Sequence, residues 1–208
     1  INAFLVEIET HLDSQVPAFN IVGLPDSAVK ESRDRISAAI KNSDFIFPAK
    51  KITVNLAPAD IRKEGSGFDL PIALGLIAAM GIINYEAHQD IIAIGELSLE
   101  GTLRPVHGVL SVVIEARDKG YKKVLLPTLN AEEGGLVQGI DIIPVDTLRE
   151  AIEYLNGDIE IKPKIIDVKE LFENATMEHL VDLVDVKGQA NVKRALEVSA
   201  AGGHNLLM

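Results

Sequence analysis

The sequence contains no cysteine and no tryptophan, and aromatic residues make up only 4% of its 208 residues. The missing thiols exclude disulfides, cysteine nucleophiles and cysteine-ligated zinc, and they are typical of a protein in a reducing cytoplasm. No apolar run reaches the roughly 18 residues that a membrane helix needs, so we expect a cytoplasmic protein without membrane contacts. Hydrophobic residues still account for 47% of the chain, which predicts a folded core of Ile, Leu, Val and Ala.

The charge of the chain is negative overall but uneven. The formal net charge is −11, which does not favour nucleic acid as a partner of the whole chain. Residues 30–63 reverse this sign, with eight bases against four acids. Two interpretations stay open for this segment: a solvated helix face with paired charges, or a local surface that binds anions.

Hydrophobic periodicity predicts a chain in which strands alternate with helices. The predicted strands are residues 3–8, 18–22, 52–56, 91–97, 123–126 and 140–145. The first predicted helix begins at residues 25–27 and ends at residue 42. The other predicted helices are residues 68–80, 108–119, 147–155 and 190–201. This order predicts an α/β (α+β) domain over residues 1–157. We predict a linker over residues 158–181, whose first part is alternatively an added edge strand. Residues 182–208 are predicted to be the start of a second domain.

Residues 63–75 (KEGSGFDLPIALG) form a glycine-rich turn before an apolar helix. A phosphate-binding Walker loop has its lysine after the glycines, whereas Lys63 precedes them and Asp69 would repel a phosphate at the helix start. A serine nucleophile needs a neighbouring base, which the spacing does not supply for Ser66. A simple turn is therefore the favoured interpretation, and a nucleophile is the alternative.

The five histidines do not form a metal-binding pattern. No two of them lie three to five residues apart, so a pair on one helix face is excluded. We predict no metal site, and we interpret each histidine as an ordinary structural or surface residue.

Several long motifs resemble a known family. Residues 53–76 (TVNLAPADIRKEGSGFDLPIALGL) and 93–127 (AIGELSLEGTLRPVHGVLSVVIEARDKGYKKVLLP) resemble the proteolytic domain of Lon, which has a ribosomal protein S5 domain 2-like fold. Residues 19–42 and 182–208 resemble the ComM/YifB family of Mg-chelatase-like AAA+ ATPases. Members of that family carry a Lon-like domain in front of an ATPase module. The resemblance therefore implies the S5-like fold here, followed by the start of an AAA+ module.

The resemblance also implies that this domain is not a protease. Lon uses a Ser-Lys dyad, with the serine in Lys-Asp-Gly-Pro-Ser-Ala-Gly and the lysine in Pro-Ile-Gly-Gly-Leu-Lys. Aligned without gaps, Gly67 takes the place of the serine and Leu110 that of the lysine. Ser66 falls one residue early, and His107 is the nearest substitute base. We predict no catalytic residues in this chain, with an active Ser66 hydrolase as the alternative.

In the same family the sequence Asp-Val-Lys-Gly-Gln begins the ATPase core near the adenine. By resemblance, the cofactor-binding residues here are Val186, Gly188 and Gln189. The Walker A loop would follow residue 208, so ATP and Mg are expected in the parent protein and not on this chain by itself. The parent is expected to hydrolyse ATP as a hexameric ring that drives DNA branch migration in competence and recombination.

For the Lon-like domain we expect a binding and assembly role in that ring. We predict a DNA-contacting surface that uses the local excess of base, formed by Lys30, Arg33, Lys50, Lys51, Arg62 and Lys63. The alternative is a domain that only docks neighbouring subunits or a partner protein, through the exposed face of the helix at 108–119.

Overall fold

The computed structural model describes residues 3–84, 88–167 and 183–207. The chain divides into two compact units, Ile1–Asp167 and Val168–Met208. Within the described ranges, none of the helices combines the length and the apolar character that crossing a bilayer requires.

The first unit contains eight strands and five helices in its described part. The strands are β1 (Glu7–Asp13), β2 (Ala18–Val22), β3 (Lys51–Ala57), β4 (Ile91–Ala93), β5 (Glu96–Leu97), β6 (Leu103–Arg104), β7 (Lys123–Pro127) and β8 (Asp141–Val145). The helices are α1 (Ser27–Asn42), α2 (Asp69–Ala79), α3 (Val109–Asp118), α4 (Ala131–Gly135) and α5 (Leu148–Asn156). In the second unit, α6 (Ala190–Gly202) follows a short 3-10 turn. The predicted α/β class is confirmed.

The first sheet has the strand order β1-β3-β2. β1 runs antiparallel to β3, with Asp13 opposite Lys51, and β2 runs parallel to it. Alternation along β3 buries Ile52, Val54 and Leu56 on one face, where α1 and α2 complete the core. The opposite face carries most of the polar side chains of the three strands, and the Thr10 hydroxyl of β1 is buried on the core face.

The second sheet has the order β4-β7-β8 and is entirely parallel, and β5 and β6 form a separate hairpin. Val124 of β7 faces the cluster that contains α3, and its neighbour Leu125 faces the cluster that contains α2 and α5. Both faces of this sheet are therefore covered, as is usual for parallel sheets. This explains the nearly continuous apolar run of β7.

Local signals in the sequence fix the helix ends. The Asp26 side chain accepts a hydrogen bond from the Val29 N–H at 2.8 Å and begins α1. Thr147 caps α5 in the same way, and Gly157 ends that helix with a φ of 77°. These predicted boundaries hold because short polar caps satisfy amide groups that the helix itself leaves unpaired.

Two predicted strands differ from the structure. The strand predicted at 3–8 begins only at residue 7 and continues to residue 13, where its pairing with β3 ends. The strand predicted at 91–97 is divided into β4, which pairs with β7, and β5, which pairs with β6 in a separate hairpin.

The first unit continues beyond residue 157. The Lys164 N–H donates to the Ile142 carbonyl at 2.8 Å, and the Ile166 N–H donates to the Gly135 carbonyl at 3.2 Å. Lys164 therefore forms a single bridge to β8, and Ile166 is bonded to α4, but residues 158–167 do not form an added strand. The rest of the predicted linker, residues 168–181, lies outside the described residues.

Position 23 requires glycine for two reasons: its backbone angle and the lack of space for a side chain. Gly23 has a φ of 97°, and a Cβ there would lie 2.2 Å from the Leu56 carbonyl oxygen of β3. We predict that Gly23→Ala lowers the free energy of unfolding by about 2–4 kcal/mol. Gly120→Ala is the matched control, because Gly120 has a φ of 85° but open space at its Cβ position. Urea unfolding measures the free energy of unfolding of both variants. An equal loss of stability in the two variants would contradict the close contact between position 23 and Leu56.

Candidate functional site

The glycine turn is held by hydrogen bonds on two sides. Gly65 has a φ of 88°, and its N–H donates to Asp26 at 3.3 Å, so the same carboxylate caps α1 and fixes the turn. On the other side the Gly67 carbonyl accepts from Gly95, and the Leu70 N–H donates to the Gly95 carbonyl at 3.0 Å. A single 3-10 turn, Ser66–Phe68, leads from here into α2.

A buried ion pair lies directly under this turn. Asp69 is the first residue of α2, and its side chain is fully buried. It accepts hydrogen bonds from Arg35 Nε at 2.8 Å, from Arg35 Nη2 at 3.1 Å and from the Leu97 N–H at 3.2 Å. One carboxylate therefore connects α1, α2 and β5.

Burial raises the pKa of the Asp69 carboxyl, because removal from water disfavours its charged form. The Arg35 hydrogen bonds and the Leu97 N–H act in the opposite direction and offset part of this rise. The same hydrogen bond raises the pKa of Arg35, which is a cation at any working pH. Arg35 is therefore the main group that favours the ionised form of Asp69.

Ser66 has a carboxylate partner. Its Oγ donates a short hydrogen bond to Glu96 Oε2, and Glu96 Oε1 lies 3.6 Å from Arg104 Nη1. In the described part of the chain, the Ser66 hydroxyl is bonded to no histidine, and His107 is exposed on the same cleft. The base predicted as a substitute is therefore not the group that Ser66 contacts.

The position aligned with the Lon serine has apolar neighbours, and the position aligned with the Lon lysine is exposed. A Cβ at Gly67 would lie 3.3 Å from Ile94 Cγ1 and 3.9 Å from Val106 Cγ1. Leu110 lies in the first turn of α3, where its N–H donates to Glu133 Oε1 at 3.0 Å. Glu133 thus satisfies a helix-end amide that Gly108 has no side chain to cap.

A cleft of about 940 Å³ opens beside the glycine turn. Its walls are the segment 3–8, one face of α2, the strand β4, one face of α3 and the loop at 105–107. Apolar side chains dominate these walls, and Ser66 and Glu96 contribute polar groups. The lining residues include Leu74, Ala78, Ile91, Ala93, Val112 and Ala116.

The loop at 105–107 is fixed by a residue that sequence reasoning missed. The buried Asn130 amide accepts from the Val106 N–H and donates to the Val106 carbonyl, each at 2.9 Å. This side chain thus pairs with the loop as a neighbouring strand would. No sequence signal separates such an asparagine from an ordinary turn residue, because its partner is 24 residues away.

The predicted DNA-contacting bases are divided among three places. Lys30 and Arg33 are exposed on α1 beside the edge strand β2, where Arg33 Nη1 donates to the Phe19 carbonyl at 3.3 Å. Lys50 is exposed, and Lys51 begins β3, where its Nζ donates to Gln15 Oε1 at 3.1 Å.

Acids lie close to some of these bases. Asp13 is opposite Lys51 in the sheet register, and Arg62 forms an exposed pair with Glu64 at 3.3 Å. The positive surface is therefore strongest at Lys30, Arg33 and Lys50.

The prediction that Lys63 contacts DNA is wrong. Its side chain is fully buried, and its ammonium group donates to the Pro58 carbonyl. Its backbone pairs with the start of α1, where the Lys63 N–H donates to Leu24 and its carbonyl accepts from Asp26. The long aliphatic stem is packed in the core, so this charge does not reach the surface.

In the second unit, the predicted adenine-side residues lie on one turn before α6. Gly188 and Gln189 both have positive φ values, 71° and 56°, and Val186 is 41% exposed. The Lys193 ammonium group of α6 donates to the Val186 carbonyl, which ties the turn to the helix.

The comparisons with known proteins agree on one family. The model described as "Subunit ChlI of Mg-chelatase" matches residues 8–130, and "Magnesium chelatase, subunit ChlI" matches residues 182–208. Competence protein ComM of Haemophilus influenzae is 42% identical over 207 residues, and YifB of Escherichia coli is 42% identical over 209 residues. A Lon protease of Lachnoclostridium phytofermentans is 25% identical over 124 residues, which are 57% of this chain and 15% of that protease.

The chain belongs to the ComM/YifB family of Mg-chelatase-like proteins. The matches to ComM and YifB cover 100% of this chain but 40% of the length of each relative.

The buried ion pair generates a prediction about stability and pH. Arg35→Ala leaves Asp69 buried without its cation, and we expect a loss of roughly 3–5 kcal/mol in the free energy of unfolding near neutral pH. The pKa of Asp69 then rises further. The folded state binds this proton more tightly than the unfolded chain, so the loss should shrink as the pH falls towards about 5 and grow towards about 8.

Urea unfolding at several pH values measures this effect. The double variant Arg35→Ala/Asp69→Asn is the control, because it has no carboxyl to titrate and should lack the added pH dependence. If Arg35→Ala lowered the free energy of unfolding by the same amount at both ends of the pH range, this would contradict the assignment of the pH dependence to Asp69.

Proposed function

We propose that this chain is a proteolytically inactive, Lon-like binding module of an ATP-driven DNA motor. Family membership supports the proposal, and the relative ComM is described as a competence protein. The identity to a Lon protease over 124 residues supports the S5 domain 2-like fold for the first unit. The proposal places the protein in the cytoplasm, where ATP and DNA are available.

The site supports loss of proteolysis on chemical grounds. Glycine at position 67 has no side chain that can attack a peptide, and leucine at position 110 cannot accept a proton. Ser66 donates its proton to Glu96, a carboxylate beside the Arg104 cation. A carboxylate is a much weaker base than the imidazole or amine that usually activates a serine.

An active hydrolase is the second candidate function. The specific observation in its favour is the hydrogen bond between Ser66 and Glu96 at the wall of a large cleft. In that scheme Glu96 would accept the proton as Ser66 attacks.

A fluorophosphonate probe distinguishes the two candidates. We expect no covalent labelling of the chain, because no group raises the nucleophilicity of Ser66 enough for attack. Mass spectrometry after incubation measures labelling, with Ser66→Ala as the matched control and a Lon protease as the positive control. Labelling that disappears in Ser66→Ala would establish the hydrolase and overturn the inactive module.

The observation that carries the DNA role is a pair of exposed bases on α1 beside the β2 edge, together with an exposed base before β3. Lys30, Arg33 and Lys50 present cations at the surface of a chain whose net charge is −11. Contacts of this kind reach phosphates and not base edges, so we propose sequence-independent binding to the DNA backbone. Lys51 and Arg62 complete the proposed set, each with an acid nearby.

Charge reversal tests this surface. In Lys30→Glu/Arg33→Glu we expect affinity for duplex DNA to fall at least about tenfold at low salt, and the salt slope to fall by about 2. Fluorescence anisotropy against salt concentration measures both quantities. Lys122→Glu is the matched control, because Lys122 is an exposed base in the loop before β7.

An unchanged affinity in the double reversal, or an equal loss in Lys122→Glu, would contradict the proposed surface. The first unit would then have only an assembly role. The exposed Leu110 and Ile114 on α3 are the candidate residues for subunit docking in that case.

For the whole protein we propose ATP hydrolysis with Mg in a hexameric ring that moves DNA branches during competence and recombination. This chain would contribute Val186, Gly188 and Gln189 to the adenine side of the nucleotide site. The positive φ values of Gly188 and Gln189 support this role, because they expose successive backbone groups on one turn.

A further inference from the structure

The strand β2 is an open edge of the first sheet. In the order β1-β3-β2 it pairs only with β3 in the described part of the chain, so its other side presents backbone N–H and carbonyl groups that no described strand uses. A notch of about 340 Å³ lies at this edge. Its lining residues are Asn20, Ile21 and Val22 of β2 and Lys30 and Arg33 of α1.

The Arg33 guanidinium is held in place by two main-chain carbonyls. Its Nε donates to the Lys30 carbonyl at 3.0 Å, and its Nη1 donates to the Phe19 carbonyl at 3.3 Å. A guanidinium has five N–H donors in one rigid plane. Since no other described residue accepts a hydrogen bond from Arg33, the remaining donors are available to a ligand, and their directions are already fixed.

The Phe19 carbonyl also shows which backbone groups of β2 face the notch. It accepts from the Arg33 side chain, so it is directed away from β3. Backbone groups alternate in direction along a strand, so the Ile21 N–H lies on the same open side, next to the Phe19 carbonyl, and the Ile21 carbonyl lies further along, towards Val22. No described group on that side accepts from the Ile21 N–H. This N–H is therefore a free backbone donor beside the Arg33 plane.

The charges at the notch favour an anion. Lys30 and Arg33 form no ion pair within the described residues. Glu31 and Asp34 are the neighbouring acids along α1, and neither lines the notch. Donors of different kinds therefore line one small space: a planar guanidinium, an ammonium group and a backbone N–H. Phosphate oxygens accept from each of them, and the guanidinium matches two of these oxygens at once.

We propose that this notch is a specific site for one phosphate group of the DNA backbone. Arg33 binds two of its oxygens as a fork, the Ile21 N–H donates to one of them, and Lys30 adds its charge. The inference rests on the proposed DNA role and goes further, because it makes Arg33 a positioned contact and the other bases sources of general attraction. Binding here is independent of sequence, since phosphates carry no sequence information directly.

Charge-conserving exchanges test the difference between the two bases. The experiment uses the full 208-residue chain, a labelled DNA duplex of random sequence and fluorescence anisotropy against salt concentration. We expect Arg33→Lys to weaken binding at least about tenfold, because lysine cannot form the fork. The salt slope should stay nearly the same, because the charge is kept. Lys30→Arg is the matched control and should keep the affinity within about twofold.

The two variants separate a specific site from a diffuse patch of charge. On a diffuse patch only the number of charges matters, so Arg33→Lys would bind DNA as the unmodified chain does. That result would overturn the phosphate site and leave the proposed DNA surface in place. Absence of DNA binding by the unmodified chain at low salt would contradict both. Urea unfolding verifies that Arg33→Lys is folded, because this variant also loses the bond to Phe19.

Amide NMR on the unmodified chain gives a second measurement. Addition of the duplex should shift the Ile21 amide proton and leave that of Asn20 nearly unchanged, because the Asn20 N–H faces β3. Inorganic phosphate is the second probe, since a free phosphate offers the same kind of oxygen acceptor. We expect it to shift Ile21 less than the duplex does, and to displace the duplex no more than chloride of equal ionic strength does.

Several results of these titrations would overturn the proposal. An Ile21 amide that does not respond to the duplex would remove the backbone donor from the site. Displacement of the duplex by inorganic phosphate, beyond the effect of equal ionic strength, would assign the notch to free phosphate. A shift of Ile21 with protein concentration alone would assign the β2 edge to a second copy of the chain.

Discussion

The Arg35–Asp69 ion pair is the interaction on which the rest of the first unit depends. Asp69 is fully buried at the start of α2, and it is bonded to Arg35 of α1 and to the Leu97 N–H of β5. A buried carboxylate that loses its cation is strongly unfavourable, so these three elements are fixed relative to one another. The glycine turn precedes Asp69 directly, and its orientation follows from this anchor.

The position of the glycine turn determines which groups its residues contact. Gly67 contributes its carbonyl to the sheet edge, and Ser66 directs its hydroxyl to Glu96. The turn therefore extends a β-sheet and borders a cleft. Under the proposed function, the backbone shape of this turn serves binding, and a catalytic dyad is not needed for it.

Local rules predicted most helices, because caps such as Asp26 and Thr147 act within three residues. They did not predict interactions between distant segments. Asp69 was interpreted as a group that repels phosphate, whereas its partner Arg35 lies 34 residues earlier. Lys63 was assigned to the surface, because its charge suggests exposure and its burial depends on tertiary packing. The division of the strand at 91–97 has the same kind of cause, because its two halves pair with the distant strands β7 and β6.

Native-state hydrogen exchange tests the central claim, that one buried ion pair holds the turn and the sheet edge together. The amides to follow are Leu70, Gly95 and Leu97, in the unmodified chain and in Arg35→Ala. The account predicts that all three lose protection by a similar factor, of roughly a hundredfold for about 3 kcal/mol, and that the core amide of Ile143 in β8 loses no more than the drop in global stability accounts for. Loss at Leu97 with full protection at Leu70 and Gly95 would contradict it.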